Sequence, residues 1–357
     1  MQTMTRGDGG ARARLAPGLA LAATLMALPV SLAAQAESFA LGGNRVQVHN
    51  IAGTVTIRSG SGSDVSVRVE RQGRDGSQLR VEQRTIDGGA ALVVVYPSDE
   101  IVYGDLGMSS RSNFDISSDG RLDQDGGRRV TVRSSGSGLA AWADLTISIP
   151  AGREVEVYHG VGGVDIEGVD ASLRVDAHSG AVRARDMSGF LDLDTGSGSI
   201  EVTGMQGDLR IDTGSGGVTV AEVTGEALII DTGSGGVRGS SIQVSELGVD
   251  TGSGGIRLEG VSASEILLDT GSGSVELDLL TDVIALAIDT GSGGVTLTVP
   301  ANLGADIEVE TGSGGIDFDF PISVSRVERQ SLVGTIGDGD GRIVIDTGSG
   351  SVRLIRR

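Results

Sequence analysis

Asp-Thr-Gly-Ser-Gly carries the residue order from which aspartic proteases build a catalytic loop, and this chain repeats it. The motif starts at Asp194, Asp212, Asp231, Asp250, Asp269, Asp289 and Asp346, with Glu310 taking the acidic place once. Protease chemistry needs two carboxylates that converge on one water and share a proton, each from its own lobe or subunit. From Asp194 to Glu310 the acids instead follow one another at 18, 19, 19, 19, 20 and 21 residues. Such spacing stacks them along one edge, and nothing else in the chain supplies a cleft or a flap. The motif therefore reads first as a corner. An Asp can accept bonds from backbone N–H groups two residues on, and the glycines can take left-handed angles.

A row of like charges has a cost. Two carboxylates about 4.8 Å apart repel by about 0.9 kcal/mol in water, and more where water is partly excluded. Backbone donors, raised pKa values or bound cations must offset this. Asp194, Asp212, Asp231, Asp250, Asp269 and Asp289, with neighbouring hydroxyls and corner carbonyls, would offer hard oxygen ligands of the kind Ca²⁺ takes. The Ca²⁺-binding nonapeptide repeat has another residue order and a much shorter step. A structural turn is the first reading and a Ca²⁺ ladder the second.

Other candidates for chemistry are sparse. His159 and His178 lie one period apart and could be neighbours across a ladder, but no third metal ligand accompanies them and His49 is distant. No G-x-S-x-G elbow with a His partner occurs, and the Gly-Ser-Gly-Gly runs lack the Lys of a phosphate loop. Trp142, Tyr96, Tyr103 and Tyr158 form no stripe. That scarcity weighs against a β-helix enzyme acting on polysaccharide, which stands as the alternative to a non-enzymatic protein.

The elements that position the motif have a period of two. After one copy come Val218, Val220 and Val223, then Leu228 and Ile230. Another copy gives Ile256, Leu258, Val261, Ile266 and Leu268. This is strand alternation, with no helical stripe. Each period holds three weak points: the motif, a central glycine (Gly168, Gly204, Gly260) and a glycine or polar residue before the last strand (Gly207, Gly225). Three short sides per turn predict an all-β fold, a single-stranded parallel β-solenoid of about 18–21 residues per coil. Propeller blades are about twice as long. The 36-residue gap from Glu310 to Asp346 reads as two periods with one drifted coil. "DAHSGAV" and "YHGVGGV" are degenerate copies upstream.

Composition agrees with an ordered, acidic protein. The chain has 357 residues, 59 of them Gly and only 6 Pro, no Cys, and a net charge of −20. All 28 basic residues are Arg. Such a balance excludes nucleic acid as a natural partner. Arg6, Arg12 and Arg14 precede the apolar run "LALAATLMALPVSLAA", and "AQA" at 34–36 offers small residues for cleavage. Residues 1–36 thus have the layout of a signal peptide, leaving no membrane span after cleavage. Export to the periplasm, cell surface or medium is expected.

Residues 37–150 are strand-rich and read as a cap or irregular first coils, with a flexible loop at about 104–129. Residues 151–357 form the repeat domain. Arg353, Arg356 and Arg357 fall on the last strand in sequence, where charge would discourage end-to-end stacking.

The segments "VTLTVPANLGADIEVETGSGGI" and "LTISIPAGREVEVYHGVGGV", with the recurrent "IDTGSGGV", resemble the bacterial DUF4097 family, labelled as adhesins. The resemblance implies an exported β-solenoid without catalytic residues. It points to a structural, adhesion or interaction role at the bacterial cell envelope, with an envelope protein or a glycan as partner.

Overall fold

The computed structural model describes residues 36–357, apart from 108–109, 118–119 and 123–126. The signal-peptide reading of residues 1–36 therefore falls almost wholly outside the described residues. Within them the regular structure is nearly all strand, with two short 3₁₀ turns at Gly76–Gln78 and Gly104–Leu106. The architecture is a β-solenoid wound from one large, mostly parallel sheet.

Coils stack in register, with one shift between Leu258 and Val261 where Ile256–Thr270 meets Val275–Leu279. On one face, Glu154–Val161 pairs with Asp170–Ser179, and this pairs with Val182–Ser197. The ladder continues through Ile200–Thr213, Ala227–Thr232, Val237–Thr251, Ile256–Thr270 and Ala285–Thr290. A second face runs in parallel from Val55–Ser59 through Val164–Glu167 and onward to Val275–Leu279 and Val295–Val299. Inward positions of both faces, such as Val218, Val220, Leu228 and Ile230, are almost fully buried. The alternation that predicted strands thus also sets which side chains fill the core.

The central corner is a column of left-handed residues. Gly168, Gly204 and Gly260 have φ of +64°, +72° and +67°. Asp186, Glu222 and Ser241 occupy the same place in intervening coils, with φ between +53° and +56°. Glycine meets this geometry without strain, whereas the other three adopt it at a cost.

Stack order departs from sequence order at the C-terminus. Ala285–Thr290 pairs with Gly341–Thr347, and Gly341–Thr347 pairs on its other side with Ala305–Thr311. The 36-residue gap is therefore not two periods. The coil of Glu310 becomes the outermost, the antiparallel strands Ser331–Ile336 and Ser323–Glu328 cover it, and the chain then returns to insert one coil inside. Val352–Arg356 likewise lies between Val295–Val299 and Ile316–Phe318, so it is an interior strand. The arginines do not guard an end. Arg353 pairs with Asp317 at 3.8 Å, and Arg357 pairs with Asp278.

At the other end, Arg45–Ala52 pairs in parallel with Glu154–Val161 and Val55–Ser59 with Val164–Glu167. Ala36–Leu41, Val65–Gln72 and Trp142–Ile149 add an antiparallel layer. The region expected as a flexible loop contains a strand. Arg111–Ile116 pairs with Arg128–Arg133, which also pairs with Glu100–Val102. Ser112, Phe114 and Ile116 alternate inward, and Ile116 is fully buried. That short period was hidden among Gly, Ser and Asp.

Candidate functional site

The repeated corner places its Asp and Thr on opposite sides. Cα register aligns Asp176, Asp194, Asp212, Asp231, Asp250, Asp269, Asp289, Asp346 and Glu310 in one column. From Asp212 onward these acids are exposed. Among the described residues, the carboxylates of Asp212, Asp231, Asp250, Asp269 and Asp289 neither accept a hydrogen bond nor meet an arginine. Desolvation, then the two neighbouring carboxylates, push the pKa of Asp231 and of Asp269 up. The row is tolerated because it faces water.

Turn chemistry belongs to the next residue. Thr213, Thr232, Thr251, Thr270, Thr290 and Thr347 are completely buried. The backbone N–H of Gly254 donates to Thr251 Oγ1 at 3.0 Å, and that hydroxyl donates to the carbonyl of Gly235 in the preceding coil at 2.9 Å. Coils at Thr232, Thr270, Thr290 and Thr347 repeat both bonds. Thr195 and Thr213 bond to each other at 3.0 Å. The expected Asx turn is therefore corrected to a threonine turn: only the inward hydroxyl can reach the corner's buried N–H.

The motif's glycines are also needed for a different reason than expected. Their φ values are not left-handed, but a Cβ on Gly235 would lie 1.7 Å from the carbonyl oxygen of Gly216. Backbones of successive corners touch, and only hydrogen fits between them.

The histidines do not meet. His159 aligns with Asn50 and Ala177, in the inward column that the threonines continue. It is 1 % exposed, and its Nε2 lies 3.0 Å from the carbonyl oxygen of Gly53. Burial pulls its pKa down to about 4. His178 is one place further along, where it touches the Phe114 ring, with centroids 5.0 Å apart. The predicted His159–His178 pairing is thus wrong by one residue, which in a strand means the opposite face. Asn50 donates to the carbonyls of Ala52 at 3.1 Å and Ala143 at 2.8 Å, and Tyr96 donates to Asn50 Oδ1 at 2.9 Å. This buried polar group ends the threonine column.

Chemically, the corner offers a line of outward carboxylates. Among the described residues no three His, Cys, Asp or Glu side chains are grouped to hold a metal ion. The six acids named as a Ca²⁺ ladder stand side by side, one per coil. Outward positions elsewhere carry ion pairs between coils, such as Arg257 with Glu276 at 2.8 Å and Arg174 with Asp192 at 3.5 Å.

The fold and the corner together define a class: a parallel β-solenoid whose coils are locked by a threonine–glycine corner. The sequence profile of the Toastrack DUF4097 family matches residues 143–354, more than half of the chain, and the chain belongs to that family. No curated protein matches it. Among solved structures it is similar to a candidate cell adhesion protein from Clostridium sporogenes. The two share 11 % identity at a TM-score of 0.22, over 90 % of this chain and 99 % of that one.

Proposed function

We propose that the protein is exported and acts at the bacterial cell envelope as a non-enzymatic scaffold for adhesion or interaction. Its partner would be an envelope protein or a glycan. The observation that carries this reading is the register itself. It presents outward rows of like residues along a stack of coils, while the threonine hydroxyl of each repeat is consumed inside the corner. A repeated surface suits an extended partner, and the family to which the chain belongs fits a structural or adhesion role.

The test is fractionation of cells producing the full chain, with protease shaving of intact cells and chemical crosslinking. The reading expects a processed protein in the envelope or medium and discrete crosslinked species. A protein confined to the cytoplasm would overturn it. Catalysis is tested separately: single Asp→Asn changes along the ladder should leave any glycan turnover equally unaffected at every coil.

A further inference from the structure

One outward strip differs from the rest of the surface. Register aligns Ile229, Gly248, Leu267, Ala287 and Val344 in a single row on the outer face. Leu267 is 59 % exposed, and the Ile229 side chain leans over Gly248, its Cδ1 3.0 Å from where a Cβ there would stand. These residues line a shallow groove of about 570 Å³. Two residues to one side on the same strands stand Asp231, Asp250 and Asp269. Two residues to the other side stand Glu246 and Glu265, and that row runs on through Ala285 to Arg342, a groove-lining cation already paired with Glu308. Among the described residues none of these five carboxylates has an arginine partner, whereas Arg257 with Glu276 and Arg174 with Asp192 pair at other outward positions.

From these observations we infer that the strip is a docking groove for a cationic amphipathic α-helix of a partner polypeptide. This deepens the scaffold reading and rests on it. Dimensions and charge select the occupant. Glu246 and Asp250 are four residues apart on one strand, so the acidic rails are separated by about 13 Å. A helix with its side chains is about 10–12 Å across. The apolar row crosses four inter-strand steps, about 19 Å, which matches about 13 helical residues. An apolar stripe would lie along the row from Ile229 through Leu267 to Val344. Lys or Arg on its two flanks would meet the two rails, giving the acids the partners they lack. A second copy of this chain would set acid against acid, and a nucleic acid would be repelled.

The experiment uses the purified full chain and a labelled synthetic peptide of about 14 residues, with Leu on one helical face and Lys on both flanks. Fluorescence anisotropy should show saturable one-to-one binding that weakens about tenfold from low to high salt. Leu267→Ser removes an exposed side chain, so it should keep the wild-type melting midpoint and weaken binding about tenfold. The double change Glu246→Gln with Glu265→Gln should weaken binding at low salt and flatten its salt dependence. Equal binding of a scrambled peptide lacking the apolar face would overturn the inference, as would unchanged affinity in both variants. So would a wild-type dimer that Leu267→Ser dissociates, since the strip would then bind another copy. The scaffold reading fails by a different result, cytoplasmic location, so the two are separable.

Discussion

Thr251 and Asp250 are neighbours in sequence and opposites in energetics. The Thr251 hydroxyl satisfies a buried N–H and a buried carbonyl from two coils, and both would be orphaned without it. Thr251→Val keeps the shape and should cost about 1–3 kcal/mol, read as a lower denaturation midpoint. Asp250 faces water between two like charges, so Asp250→Asn should raise stability by a few tenths of a kcal/mol at low ionic strength. The gain should fade as salt screens the row. Had the acid carried the turn, the order of these two variants would be reversed. Alternation already held the answer: Leu247, Val249 and Thr251 lie on the same side of their strand, so the threonine had to point inward. The acid drew the functional reading because it is the residue that could do chemistry alone. At the central corner, Glu222→Gly should stabilise by about 0.5 kcal/mol. Relief of a left-handed side chain slightly outweighs the entropy of a freer unfolded chain.

Elements in a solenoid are held by their two stacking neighbours, so their order in the stack decides which are essential. Deleting residues 231–249, one whole coil, brings the Asp212 and Asp250 corners together with equivalent inward residues. The protein should stay folded and cooperative. Removing residues 341–357 should be far more damaging. It withdraws the strand between Ala285–Thr290 and Ala305–Thr311 and the strand between Val295–Val299 and Ile316–Phe318. Hydrogen exchange should then show protection lost from Ala305–Thr311 and Ser331–Ile336 and kept in Val164–Glu167. Period and strand type were legible because each coil repeats the same inward pattern. The insertion was not, because the corner at Asp346 is identical to the others and fits either position in the stack. Only the antiparallel cover over the Glu310 coil makes the returning strand choose the inner place.

For the whole molecule, acid should weaken the fold before it relieves the charge. The chain carries a net −20, and protonating its carboxylates would lessen self-repulsion. His159 acts earlier. It is buried beside Asn50 and Ala177, and desolvation holds its pKa at about 4 in the folded state against an ordinary 6.5. Between those two values the unfolded chain binds the proton and the folded chain does not. Stability is therefore full above about pH 6.5 and falls as pH drops towards 4, by up to about 3 kcal/mol. His178, lowered by its own burial, adds in the same direction. Asp231 and Asp269 work the other way, because their raised pKa values make the folded state the better proton binder. Their contribution enters only as carboxylates begin to titrate, at the acid end of the window. Chemical denaturation at steps from pH 7.5 to 4.5 should accordingly show a monotonic loss of stability. The imidazole of His159, followed by NMR, should remain neutral at pH 5.5 while the molecule is folded. A midpoint that rises on acidification through this range would mean that charge repulsion along the ladder outweighs the buried histidine.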